Sequence, residues 1–381
     1  MRAGRKERVV PRDRSYGLRE MEYESESSFR SMYRMDWDSF EFLLQLIQPY
    51  IRVENKFSNK RYGIISTRTK LACTLRWLAG GQYLDIVRLY GISKTAFFSN
   101  KPNGIIWPTI RALDRVFTIG FPIFDNNELK EIAKGFSEFS RGQMKGCVLA
   151  IDGWVCRTRA PYASETEFVT SYYNRHDCYG LVILAGCDAN LRFRMFSACS
   201  SGSTNDCLAW DTCSLKASLD SGLLPDEFYF VGDEAFTCTK QFLSPWPGRN
   251  LGRWKDSFNY HLSSMRQCIE RAFGVLVRRW GILWRKFEFQ FSKWSLVLSV
   301  LAKLHNFCID RNIPIFEMHE KNILPDDECV VLLNGNLDHD GPQRERAEVR
   351  TPGANTRANL TEELESNGVL RPAYAQNNSK A

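Results

Sequence analysis

Apolar residues recur at helical spacing through the first third of the chain. Phe40, Leu43, Leu44, Ile47 and Ile51 stand three and four apart, the stripe of an amphipathic helix. Leu71, Leu75 and Leu78 make a second stripe, closed by Gly80-Gly81. Asp85 to Tyr90 predicts a short helix, Gly91 a turn, and Ser93 the cap of a third helix reaching Phe98. The order predicts a helix-turn-helix-like segment over about 66–100, with Lys94 and Asn100 facing outward from its last helix. Three short helices around a small apolar core are equally common without any DNA role.

From Lys145 the period changes. Gly146 to Asp152 is a continuous apolar run ending in a carboxylate, as a buried strand reads. Leu181–Cys187 and Leu191–Ala198 are two further strands around a turn at Asp188-Ala-Asn190. A helix is expected from about Ser203 to Leu219, and a strand over Glu227–Val231 leading into Gly232-Asp233. Leu262 to Trp280 is a strongly amphipathic helix, with Leu262, Met265, Ile269, Phe273, Leu276 and Trp280 on one face. Strands first, then alternating helix and strand, predict an α/β class with a mixed sheet flanked by helices and preceded by an all-helical domain. Residues 1–25 read as a basic disordered arm, 26–140 as the helical domain and 141–312 as the sheet-bearing domain. Beyond about Asn312 the pattern fades, and 313–381 are expected to be a largely disordered tail.

No run of eighteen apolar residues occurs, and the apolar stretch Trp294–Leu304 is broken by Lys303, so a soluble protein without a membrane partner is expected. The twelve cysteines include no CxxC pair, which removes zinc ribbons and fingers and leaves buried thiols. A net charge of +7 does not establish a nucleic-acid partner by itself. Its local distribution says more. Between Arg266 and Lys286 lie Arg266, Arg271, Arg278, Arg279, Arg285 and Lys286, with Trp280 and Trp284 interleaved and Glu270 as the acid among them. That run, with Lys94, is the candidate DNA-binding surface; the bland alternative is a solvated helix face with two core tryptophans.

Two carboxylates follow buried runs, Asp152 and Asp233. Glu270 lies mid-helix among apolar neighbours, and Asp206 heads a predicted helix. A carboxylate beside an apolar core must be compensated, and a divalent cation with hard oxygen ligands, magnesium or manganese, is one way to do so. Each also has a plain reading. Asp152 and Asp233 could serve turns with their glycines, Asp206 could favour a helix dipole, and Glu270 could pair with Arg266 one turn back.

Ala150-Ile-Asp152-Gly, Tyr172-Tyr-Asn-Arg175, Cys187-Asp-Ala-Asn-Leu-Arg-Phe193, Ser201-Gly-Ser-Thr-Asn-Asp206, Val231-Gly-Asp233, Ile269-Glu-Arg-Ala-Phe-Gly274 and Leu304-His-Asn306 follow one another over roughly residues 145–310. In content and order these blocks resemble harbinger-type DDE transposases and the nucleases derived from them. The resemblance implies an RNase H-like fold for 141–312, a catalytic triad at Asp152, Asp233 and Glu270, and a further metal-linked acid at Asp206. The implied cofactor is Mg2+ or Mn2+, two ions roughly 3.5–4 Å apart in the general two-metal scheme. Asp188 competes for the second position but reads as a turn residue. Ser201, Asn205 and His176 depart from the family's usual Pro, His and basic residue, leaving every acid in place.

The implied activity is cleavage of DNA phosphodiester bonds, with 3′-OH strand transfer as an extension. The alternative is a domesticated, catalytically silent DNA-binding or scaffold protein. A glycoside hydrolase also uses paired carboxylates, but gives the basic helix no role. The implied partners are double-stranded DNA and a Myb-like accessory protein, the implied location is the nucleus with or without the cytoplasm, and self-association stays open.

Overall fold

In a computed structural model the described residues are 13–52, 64–314 and 352–372. Residues 1–12 of the basic arm expected at the N-terminus lie outside them; its second half is not disordered but carries a helix over Tyr16–Tyr23. The chain divides into two compact units.

Of the described residues the first unit holds 13–52 and 64–118 together with short stretches at 278–283 and 310–314. Its helices are α1 (Tyr16–Tyr23), α2 (Glu26–Tyr33), α3 (Trp37–Ile51), α4 (Thr67–Leu78), α5 (Tyr83–Leu89), α6 (Lys94–Phe97) and α7 (Ile106–Val116). The Asp36, Ser66 and Ser93 side chains accept from backbone N–H groups in the first turns of α3, α4 and α6, and so define where those helices start. Phe40, Leu43, Ile47 and Ile51 are all buried, as their spacing requires. Lys70 is buried too, because its ammonium reaches the carbonyls of Ile51 and Pro102 at 3.2 and 2.9 Å. Burial pulls its pKa down to about 8. α6 is a single turn whose Phe97 is fully buried, which leaves Lys94, exposed and 5.8 Å from the Tyr83 ring, as its outward base.

The second unit is built on a five-stranded mixed sheet flanked by helices. Its elements are α8 (Asn126–Ser137), β1 (Cys147–Arg157), β2 (Gly180–Cys187), β3 (Phe193–Ser201), α9 (Asp206–Asp211), α10 (Ser214–Asp220), β4 (Tyr229–Val231), β5 (Phe242–Leu243), α11 (Arg253–Arg279), α12 (Trp294–Asp310) and α13 (Pro352–Ser366). The strand order is β3-β2-β1-β4-β5, antiparallel from β3 to β1 and parallel from β1 to β5. β2 is buried along its whole length, which is why it reads as an unbroken apolar run rather than an alternating one. The apolar stripe of α11, Leu262, Met265, Ile269, Phe273 and Leu276, is buried. Phe273 brings that helix onto the sheet, its ring 5.6 Å from Trp154 of β1 and 5.9 Å from Phe193 of β3.

The Leu304-His-Asn306 block is structural. Asn306 accepts from the Phe193 amide at 2.9 Å and donates to the Phe193 carbonyl at 2.8 Å, while His305 Nε2 meets the Leu191 carbonyl at 2.8 Å. α12 thereby satisfies the start of β3 as a neighbouring strand would.

Four further expectations need correction. β1 does not stop at Asp152 but runs on to Arg157, its burial turning from continuous to alternating at that residue. The helix expected over 203–219 is two helices. Thr212 returns its hydroxyl to the Leu208 and Ala209 carbonyls, and Cys213 adopts an extended conformation before α10 begins. α11 starts at Arg253, well before Leu262. The expected disordered tail contains α13, held by Trp246 Nε1 donating to Thr361 Oγ1 at 3.0 Å, Ser257 Oγ donating to the Val369 carbonyl at 2.8 Å, an Arg371–Asp256 ion pair and a buried Leu364. Residues 315–351 and 373–381 of that tail lie outside the described residues.

The cysteines of the described residues are free thiols. Among those residues no helix is long and apolar enough to cross a membrane.

Candidate active site and metal centre

The parallel pairing of β1 with β4 sets Ala150 opposite Val231. Two residues further on stand Asp152, still in β1, and Asp233, just beyond the end of β4, so the parallel register carries both to the same end of the strand pair, and Asp152 emerges on one side of the sheet. Trp154, the next residue on that side of β1, touches Phe273 of α11, so this is the side that α11 covers. Glu270 lies on α11 one turn after Arg266, whose guanidinium reaches the sheet.

Asp206 arrives by a different route. Asn205 caps α9, its side chain accepting from the Leu208 amide at 2.8 Å, which leaves Asp206 as the first helical residue. Its carboxylate lies directly against the backbone of Gly153, so closely that a Cβ at that position would overlap Asp206 Oδ1. Gly153 is thus a residue of the site, although in the sequence it reads only as half of a turn.

The electrostatics show that the acids share one region. Asp152 Oδ1 accepts from the Gly153 amide at 2.9 Å, and Oδ2 from Arg266 Nη1 at 2.7 Å. The other end of the same guanidinium, Nη2, is 2.5 Å from Glu270 Oε1. Burial pushes the Asp152 carboxyl up to about 7; Arg266 opposes the rise, and the charges of Asp233 and Asp206 add to it. Burial, then Asp233, push Asp206 up to about 6, with Arg175 opposing. For Arg266 burial works downward, but Asp152, Glu270 and Asp233 together hold its pKa above the usual arginine value. Asp233 is felt by Asp152, Asp206 and Arg266 alike, and so links Asp206 to the acids that Arg266 meets.

Among the described residues no group of three or more His, Cys, Asp or Glu side chains is placed to hold a metal ion. In donor type the set nevertheless fits a divalent cation. The donors are hard carboxylate oxygens, burial and then neighbouring acids raise two of their pKa values, and a positive side chain already lies between two of them. Arg266 pairs with two of these acids, Asp152 and Glu270.

The basic residues of the expected DNA surface separate. Arg271 and Arg278 are exposed, as is Lys94. Arg266 is turned into the acid cluster rather than toward a duplex, because Asp152 and Glu270 both claim it. Arg279 is buried within the first unit, donating to the carbonyls of Ile313 and Arg34, and Trp280 is fully buried beside it in sequence. These two arginines therefore cannot face a duplex as they stand. Asp188 belongs to the β2–β3 turn: Oδ1 accepts from the Asn190 and Arg192 amides, and Oδ2 pairs with Arg194 at 2.8 Å. Besides Gly153, Arg175 joins the site without having been singled out, since its charge reaches Asp206.

A family model described as DDE superfamily endonuclease matches residues 151–306. That interval begins one residue before Asp152 and ends on Asn306, and it contains Asp206, Asp233 and Glu270. No curated protein and no solved structure matches the chain.

Proposed function

We propose that the match to the DDE superfamily endonuclease model marks an active centre, and that residues 141–312 form an RNase H-like, harbinger-type nuclease that cleaves DNA phosphodiester bonds with Asp152, Asp233 and Glu270 as its acids. The observation that carries this reading is the mutual electrostatic burden of the acids: Asp152 and Asp206 have carboxyls pushed up to about 7 and about 6, each in part by the charge of Asp233. Carboxylates arranged at that disadvantage favour bound cations. Mg2+ or Mn2+ would supply a water acidic enough to attack at neutral pH and charge stabilisation for the leaving oxygen.

The protein's own residues do the rest. Asp152 from β1 and Asp233 from just beyond the end of β4 would present oxygens from the sheet side, and Glu270 one from α11. Asp206, seated against Gly153, adds a fourth carboxylate whose position the α9 cap holds. Arg266 balances Asp152 and Glu270 before cations arrive. Double-stranded DNA as substrate, a Myb-like accessory protein, strand transfer by the freed 3′ hydroxyl and action in the nucleus belong to the same proposal.

Conversion of supercoiled plasmid to nicked circles by the full chain with Mg2+ is the test, run beside Asp152→Asn. Wild type should nick, and the variant should fall by about a hundredfold or more, the several kcal/mol that charge stabilisation by a metal centre supplies. Equal nicking by both proteins would overturn the assignment. The inward-turned Arg266 favours one competing reading, a silent DNA-binding protein, which predicts duplex binding by both proteins and nicking by neither.

A further inference from the structure

The connection between β1 and β2 ends in a tight turn beside the acid cluster. Asn174, buried at 5% exposure, organises it. Its Oδ1 accepts from the His176 amide at 2.8 Å, its backbone N–H donates to the Cys178 carbonyl at 2.9 Å, and Tyr173 and Tyr179 form a β-bridge around it with their rings 5.1 Å apart. Asp177 closes the turn at φ 56°. The turn is tied to the segment that leads into Asp206: the Ser203 amide donates to the Ser171 carbonyl at 2.9 Å, and Gly202 sits where a Cβ would overlap the Tyr172 carbonyl.

Arg175 stands at the tip of this turn, exposed. It forms no ion pair among the described residues; its Nε lies 3.4 Å from His176 Nε2. Desolvation, and then the charge of Arg175 itself, keep His176 below its ordinary pKa, which favours the neutral ring that can accept that N–H. The nearest acid in sequence, Asp177, accepts instead from the Tyr173 hydroxyl at 3.4 Å. A surface arginine with no assigned task would be expected on a mobile stem or paired with a neighbour. Here the backbone is tied down, the adjacent acid is engaged elsewhere, and the guanidinium is left open within electrostatic reach of Asp206.

We propose that Arg175 is a positioning residue that grips a backbone phosphate of the nucleic-acid strand entering the acid cluster. The inference rests on the nuclease reading. A strand cannot approach four carboxylates without cationic groups to hold its flanking phosphates, and Arg266 is already committed to Asp152 and Glu270. A guanidinium offers two parallel donors to phosphate oxygens. Held by the Asn174 turn, Arg175 places those donors at the Asp206 side of the site.

The experiment measures binding of the full chain to a fluorescein-labelled random-sequence duplex by anisotropy in Ca2+ over a series of KCl concentrations, for wild type, Arg175→Ala and Arg175→Lys. Loss of one phosphate contact should lower the slope of log K against log[KCl] by about 0.9 in the alanine variant, and lysine should restore it. A wild-type slope in Arg175→Ala, or a loss in the lysine variant equal to that in alanine, would overturn the inference. Plasmid nicking with Mg2+ by the same preparations separates the two proposals. Nicking by wild type with an unchanged Arg175→Ala slope removes Arg175 alone. A lowered slope in a protein that never nicks keeps Arg175 as a DNA contact and removes the nuclease.

Discussion

Asp152→Asn should stabilise the metal-free protein at alkaline pH. In the folded chain the Asp152 carboxyl is pushed up to about 7 from an ordinary value of 3.8, and its side chain is 16% exposed, so solvent relieves little of the disadvantage. Between those two values the folded state holds a proton that the unfolded chain has released. Stability is therefore fully present below the lower value and is lost as pH rises through the upper one. An interval of about three pH units corresponds to about 4 kcal/mol. Asparagine removes the titration and still accepts from Arg266, whose attraction for the carboxylate is already contained in that shift, so the net gain at pH 8 is about 3–4 kcal/mol. Asp206 titrates in the same direction in both proteins, so the difference between them isolates Asp152. Urea unfolding in EDTA followed by circular dichroism should show equal midpoints at pH 3 and a higher midpoint for the variant at pH 8, by about 1 M at an ordinary slope. Mn2+ should then raise the wild type at pH 8 and leave the variant nearly unmoved. Equal midpoints for the two proteins at both pH values would refute the claim that Asp152 is held ionised at a disadvantage.

Three further outcomes follow from the same geometry. Arg266→Met removes the positive side chain from between Asp152 and Glu270 and should cost about 2–3 kcal/mol in EDTA, less than a fully buried pair because Glu270 is 33% exposed; saturating Mn2+ should shrink that loss in the same urea titration. Gly153→Ala introduces a Cβ where Asp206 Oδ1 lies, so isothermal calorimetry should show Mn2+ affinity weakened by about tenfold or more, and an unchanged affinity would mean that Asp206 takes no part in binding. Asn306→Ala leaves the N–H and C=O of Phe193 without the partner they have now and should lower stability by about 2–3 kcal/mol with no change in Mn2+ affinity, which separates that block from the metal site.

The parts of the fold that were legible in the sequence are those where burial is continuous. β2 and the first half of β1 read as strands because both faces are covered, and α11 because one stripe faces the sheet. The continuation of β1 past Asp152 was hidden, since a carboxylate and a glycine together imitate a turn while here the carboxylate joins the acid cluster and the glycine admits Asp206. α13 was hidden for the opposite reason. It docks through Thr361, Arg357 against the Trp246 ring and one leucine, not through an apolar stripe that periodicity detects. Of the site, the four acids could be singled out by their neighbours, but their proximity depends on strand register, which no local pattern encodes. The inward turn of Arg266 was equally unreadable. On a basic helix it looks like surface charge, and only the carboxylate of Asp152, remote in sequence, decides its direction.

The proposal of a metal-dependent nuclease stands on whether these acids take up divalent cations together. Electron paramagnetic resonance of Mn2+ titrated into the protein at pH 8 measures that uptake without requiring any substrate. Wild type should remove Mn2+ from the free signal saturably, and the Asp152→Asn/Asp233→Asn double variant, shown folded by circular dichroism, should not. Identical uptake by the two proteins, or none by the wild type, would contradict the account.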